Sequence, residues 1–170
     1  MIYLDNAATT LKKPHAVLEA VQEAMGSLGN AGRGGNDASL SSSRIIFQTR
    51  EALNRLVGGT SSRQIVFTHN ATESLNIAIR GLLNPGEHVI TSVLEHNSVL
   101  RPLEALKASG VEVSYLPINE VGEVQVDKIP TLIQDNTTMI ILAHGSNLTG
   151  SIIDLAYVCL LYTSDAADEE

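Results

Sequence analysis

Four short polar segments hold the side chains able to do chemistry: YLDNAATT at 3–10, FTHNATESLN at 67–76, LEHNSVL at 94–100 and AHGSNLTG at 143–150. Each begins where an apolar, strand-like run ends. A parallel α/β sheet holds its ligands in the crevice outside the carboxyl ends of its strands. Polar residues at four such ends are therefore expected to form one binding site assembled from distant stretches, with the apolar runs between them as scaffold.

In FTHNATESLN a strand is expected to end at Thr68 and a helix to open at Ala71 and Thr72. Unpaired backbone N–H groups and the positive end of the helix dipole would then face the crevice, an anion site to which the Thr72 hydroxyl adds a donor. The same residues also suit a plain helix cap at Asn70 or Thr72. His96 directly follows a strand-like run, where an imidazole can lie flat against an aromatic ligand or move a proton; a histidine satisfied by its own neighbours is the competing reading. Glu95 either orients that loop or faces solvent. Asn147 can offer its amide to a phenolate-like oxygen, or it forms an Asx turn before Gly150. In DNAATT the small residues Ala7 and Ala8, beside Asn6, would let a substrate approach the backbone, and the alternative is a turn with a capping threonine. Neither HExxH nor a second spaced histidine is present, so no metal site is expected.

The 170 residues suit one domain with a buried core, and 44% apolar content is that of a globular protein. A net charge of −8 with no basic stripe argues against nucleic-acid binding, which rests on clustered Lys and Arg. The longest apolar run, 155–162, falls far short of the ~20 residues that cross a bilayer. With no basic, apolar leader at the start, a cytoplasmic protein without a membrane segment is the expectation. The single cysteine, Cys159, excludes an internal disulfide and a CxxC site.

The elements that must position these residues alternate. Ile2–Leu4 reads as a short strand, and Pro14 starts a helix to about Gly26 with Val17, Leu18, Val21 and Met25 on one face. After the loop GNAGRGGND, Asp37 or Ser39 is expected to cap a second helix that Gly58 and Gly59 stop. Gln64–Thr68 reads as a buried strand, followed by a helix over 72–83 and a turn at Asn84-Pro85-Gly86. Strands at 88–93, 111–116 and 139–143, a helix ending at Gly110 and a short one near 127–134 complete the pattern. This alternation predicts an α/β fold with a mostly parallel sheet and helices on both faces.

With YLDNAATT, the RGG at 33–35, FTHNATESLN, EHNSVLRPL and SNLTG in this order, the chain resembles the amino-terminal part of class V aminotransferase-fold, pyridoxal-phosphate-dependent enzymes, most closely the cysteine desulfurase-like group. The resemblance covers about residues 1–154 and implies a partial large domain of the fold-type I transferase fold. It assigns Ala71 and Thr72 to the phosphate of pyridoxal 5'-phosphate, His96 to stacking on the pyridine ring as the catalytic residue of this stretch, and Asn147 to the ring's phenolic oxygen. Asn6, Ala7 and Ala8 would lie near the substrate amino acid. It further implies L-cysteine as substrate, alanine and an enzyme persulfide as products, a homodimer and a sulfur-acceptor protein. Selenocysteine lyase or another class V reaction is the alternative activity.

The family's Schiff-base lysine, its pyridinium-partner aspartate, its substrate-carboxylate arginine and its mobile-loop cysteine lie beyond the matched stretch. None of Lys12, Lys13, Lys107 and Lys128 falls in a corresponding motif, so the chain as given is expected to be inactive. Asn36 stands where relatives carry histidine or an aromatic residue after RGG. From 155 to 170 the family pattern ends, and the last six residues hold four of the nineteen acids, half the net charge. This tail reads as atypical sequence, either a foreign piece joined at a truncation or a natural divergent terminus, and is expected to pack loosely. Cys159 lies within it and has no activating base nearby in sequence. Two other classes compete: a nucleotide-binding Rossmann domain, which GRGGN does not support because it is not GxGxxG after a strand, and a non-catalytic binding or dimerisation fragment.

Overall fold

A computed structural model of the chain describes residues 2–6 and 8–164. The stretch expected to be one domain contains two compact units, the first reaching Phe67 and the second starting at Thr68.

The first unit holds α1 (His15–Ser27), α2 (Asp37–Leu56) and a 3-10 turn at Ser62–Gln64. Pro14 takes the cap position of α1 with φ −56°, the value its ring imposes. The expected stripe of Val17, Leu18, Val21 and Met25 lies on α1 but is exposed among the described residues. Helix α2 is capped neither by Asp37 nor by Ser39 but by Asn36, whose Oδ1 accepts the Ser39 N–H at 2.9 Å. Asn36 is extended and can reach back to the third helical amide, whereas Asp37 and Ser39 are already inside the helix. Two serines on α2 hold the glycine-rich loop: Ser42 Oγ donates to the Gly29 carbonyl at 2.7 Å and Ser43 Oγ to that of Ala31 at 2.8 Å. Gly34 has φ +152°, and a Cβ there would meet Ser39 Oγ at 2.6 Å, so the loop closes on α2 only with glycine at this point.

Two expected strands are absent from this unit. Ile2 and Leu4 lie exposed in irregular chain, and Gln64–Thr68 runs from the 3-10 turn into unpaired backbone with Val66 and Phe67 exposed. The Ser61 hydroxyl caps the turn by accepting the Arg63 N–H at 3.3 Å. The Arg50 guanidinium lies 5.6 Å from the centre of the Phe67 ring.

The second unit runs α3 (Ala71–Leu82), β1 (His88–Ser92), α4 (Asn97–Lys107), β2 (Glu112–Leu116), a 3-10 turn (Val126–Lys128) leading into α5 (Ile129–Leu132), β3 (Thr137–Ile140) and α6 (Leu155–Ser164). The strands form a parallel sheet in the order β2-β1-β3. Successive residues of a strand point to opposite faces. Val89 packs with Ile79 from α3 and Leu83 just after it, Val99 and Leu103 from α4, and Val111. Ile90 packs on the other side with Leu116 and Ile129, so helices cover both faces. Complete burial of side chains such as Ile79 and Leu103 stabilises by about 1.5–3 kcal/mol each.

The segment expected to pack loosely after residue 154 instead opens as α6. The Asp154 carboxylate accepts the Tyr157 N–H at 3.1 Å as a cap, and Val158 and Leu161 pack against the cluster around Ile90. The acidic end, 165–170, lies outside the described residues.

His88 ties the three strands together at the amino-terminal edge of the sheet, from the first position of the middle strand. Its ring is fully buried, with Nδ1 2.7 Å from Thr137 Oγ1 on β3 and Nε2 2.8 Å from Ser114 Oγ on β2. A neutral imidazole satisfies both hydroxyls, one nitrogen donating and the other accepting. Burial pushes its pKa down, and the carboxylate of Glu112 offsets part of the shift.

Candidate cofactor site

At the start of α3 the two readings of FTHNATESLN turn out to be compatible. Asn70 is the cap, and its Oδ1 accepts the Glu73 N–H at 2.9 Å. The Glu73 carboxylate turns back to accept the His69 N–H at 2.7 Å and lies 2.8 Å from His69 Nδ1. The backbone bond first, and the ring second, hold Glu73 below its ordinary pKa. Capping uses the third amide of the helix and leaves those of Ala71 and Thr72 without an internal acceptor, pointing along the positive end of the dipole.

Strand β1 leads to the second motif. Glu95 is buried, and its Oε1 accepts the Ser92 hydroxyl at 3.0 Å and the Ala143 N–H at 2.8 Å, joining the carboxyl ends of β1 and β3. It orients the loop rather than facing solvent. Glu95→Ala strands a buried hydroxyl and a backbone donor and is expected to lower stability by about 1–3 kcal/mol, with Glu95→Gln milder because an oxygen remains. Urea unfolding of both variants checks this; equal losses would show that the acceptor oxygen is not what matters.

His96 follows as the cap of α4, its Nδ1 accepting the Ser98 N–H at 3.1 Å and lying 2.8 Å from Ser98 Oγ. One nitrogen is thus satisfied locally while the ring remains exposed. Thr72 and His96 face the same concavity of about 310 Å³ between α3 and α4. Its other walls include Asn76 and Arg80 from α3, and Ser98 and Arg101 from α4. Asn76 Nδ2 donates to the Thr72 carbonyl at 2.9 Å, and its Oδ1 accepts from Arg80 Nε at 3.4 Å. Two guanidinium groups, two free amides nearby and, among the described residues, no lining carboxylate make this an anion-favouring hollow.

Sequence reasoning missed the arginines and Asn76. The signal was present, since 72, 76 and 80 recur every four residues and define one helix stripe.

Asn147 lies elsewhere, on the turn after β3 and outside the lining of this concavity. The turn is not an Asx turn of Asn147: the Ser146 hydroxyl accepts the N–H groups of Leu148 and Thr149, each at 3.2 Å, and the Gly150 N–H closes on the Ser146 carbonyl at 2.9 Å. Asn147 itself is exposed. Asn6 and Ala8 belong to the first unit, exposed near a turn in which the Thr9 N–H reaches the Asp5 carbonyl at 3.3 Å. Ala7 lies outside the described residues. Among the described residues no group of three or more His, Cys, Asp or Glu is placed to hold a metal, and no helix is long and apolar enough to cross a membrane.

A parallel sheet clothed by helices on both faces, with motif residues at its carboxyl edge, defines part of a fold-type I large domain of the pyridoxal-phosphate-dependent transferase kind. The chain belongs to the class V aminotransferases, whose family model matches residues 2–166. It is 36% identical over 167 residues to the cysteine desulfurase IscS of Photorhabdus laumondii subsp. laumondii, covering 92% of this chain and 40% of that protein. The crystal structure of the cysteine desulfurase CsdA from Escherichia coli is similar with a TM-score of 0.75 and 33% identity over 93% of this chain and 41% of that one. The structure of SspA in complex with cysteine gives a TM-score of 0.84 and 29% identity, over 96% of this chain and 48% of that chain. The chain therefore spans about 40% of the length of the curated relatives it matches.

Proposed function

We propose that this chain is the cofactor-phosphate and ring-stacking portion of a cysteine desulfurase-like enzyme. The observation that supports this most directly is the pair of unclaimed amides at Ala71 and Thr72, next to a hollow that Thr72 shares with the exposed ring of His96. Ala71 and Thr72 receive the phosphate of pyridoxal phosphate, and the His96 imidazole lies against its ring. The family resemblance assigns the Asn147 amide, which stands on the turn after β3 and outside this hollow, to the phenolic oxygen. When bound, the cofactor supplies an electron sink for bond breaking at the amino acid, and the protein positions it. The whole enzyme converts L-cysteine to L-alanine and a persulfide, as a cytoplasmic homodimer that passes sulfur to an acceptor protein. The similar SspA structure is a complex with cysteine, which supports this substrate. Selenocysteine lyase activity is the second reading, favoured by the same motifs.

The test is spectroscopic titration of the chain with pyridoxal phosphate and, in parallel, with pyridoxal. Thr72→Ala and His96→Ala should each weaken pyridoxal phosphate binding about threefold to tenfold, the loss of one or two hydrogen bonds or a ring contact. Thr72→Ala should leave the weaker binding of pyridoxal unchanged, because that ligand has no phosphate. Equal effects of Thr72→Ala on both ligands, or no effect of either variant on pyridoxal phosphate, would overturn the assignment.

A further inference from the structure

We propose that Ser98 is a positioning residue that fixes the tautomer and the attitude of the His96 ring; the use made of that ring rests on the reading above. Backbone N–H groups only donate, so the 3.1 Å contact from the Ser98 N–H requires a lone pair on His96 Nδ1. The ring proton of the neutral imidazole is therefore on Nε2. The Ser98 hydroxyl, 2.8 Å from the same nitrogen, donates to it as well. Two donors converge on one ring nitrogen, and they come from a residue that is itself only 6% exposed.

The location of Ser98 explains why it can hold this geometry. It is the second residue of α4, where the amide has no intrahelical acceptor, so donating to the ring costs the helix nothing. Four residues on, Pro102 has no N–H to offer the Ser98 carbonyl. Pro102 is buried, as are Val99 and Leu103 on the same helix, which anchors this turn. The ring is thereby pinned at one edge. Its opposite edge carries Nε2–H, and the exposed ring borders the concavity that Thr72 and the two arginines line.

A neutral ring can lie against an electron-poor aromatic ligand without like-charge repulsion, and a ring pinned at Nδ1 has lost the rotational freedom that stacking would otherwise have to remove. Without Ser98 Oγ the amide alone holds the nitrogen, and the second tautomer and other ring rotamers become populated.

The experiment uses the full chain with ¹⁵N-labelled histidine in mildly alkaline buffer, where two-bond ¹H–¹⁵N spectra read the tautomer of each ring. The native chain and Ser98→Thr, which keeps the hydroxyl, should show His96 as the Nε2–H form. Ser98→Ala should show a mixture, with pyridoxal phosphate bound about threefold to tenfold more weakly, the value of one lost hydrogen bond. An unchanged His96 tautomer in Ser98→Ala, or failure of Ser98→Thr to restore it, would overturn the inference. Failure of the functional reading is distinct: the tautomer would respond to Ser98→Ala while pyridoxal phosphate binding ignored both Ser98→Ala and His96→Ala.

Discussion

His88→Ala is expected to destabilise the second unit by about 3–5 kcal/mol, a large part of the ~5–15 kcal/mol that separates folded from unfolded domains. Two losses combine. Removing a fully buried ring from the central strand leaves a cavity, and the hydroxyls of Ser114 and Thr137 lose the nitrogens they face at 2.8 and 2.7 Å. Denaturant unfolding reads the difference directly. The same histidine gives that stability a pH dependence. Its folded-state pKa lies below the ordinary 6.5 because burial disfavours the imidazolium. The unfolded chain therefore binds more protons once pH falls below 6.5, and stability falls with it. Above that pH the ring is neutral in both states and its contribution is complete. The gap between native chain and His88→Ala should accordingly be constant in alkaline buffer and narrow on acidification. A gap that widens toward low pH would mean the buried ring is held as a cation.

The second large effect is an absence of turnover: with pyridoxal phosphate and L-cysteine, the chain as given is expected to release sulfide no faster than the free cofactor does. Covalent capture of a carbonyl cofactor needs an amine that can shed its proton. The sequence has four lysines, and none falls in a motif corresponding to the family's cofactor lysine. Lys107 lies 2.8 Å from a Glu104 carboxylate oxygen and 4.8 Å from the centre of the Tyr115 ring. The hydrogen bond to Glu104, then that to Tyr115, raises its pKa, so it keeps its proton more firmly than a free lysine. Borohydride reduction followed by peptide mapping should find at most scattered, substoichiometric labelling. Sulfide above background, together with a stoichiometric adduct on one lysine, would show that this chain holds a complete site.

Periodicity made the second unit legible and the first less so. Helices α3 and α4 and strands β1 and β2 fall where their apolar spacing puts them, because Ile79, Val89, Leu103 and Leu116 are all buried. Ile2–Leu4 and Gln64–Thr68 have strand-like composition yet form no strand. A strand exists only through a partner, and local sequence does not reveal whether one is present. The cap of α2 moved one residue to Asn36 because capping depends on which side chain reaches the third amide, a matter of backbone geometry. Val158 and Leu161 read as part of an ill-fitting tail since α6 is apolar without a clear face, and only the Ile90 cluster gives them a place. Thr72 and His96 were recognisable because each stands at an element's start. Arg80 and Arg101 were not, because their meaning comes from two helices lying side by side.

Glu95 gives the binding edge a property that neither motif has alone. By accepting the Ala143 N–H, it connects the loop that carries His96 to the start of the loop that carries Asn147, across 48 positions of chain. A push on one loop is felt at the other through a single carboxylate oxygen, which also receives the Ser92 hydroxyl. The two loops should therefore order and loosen together. Their amides are expected to exchange with solvent as one cooperative group, and a ligand that touches only His96 should slow exchange near Asn147 as well.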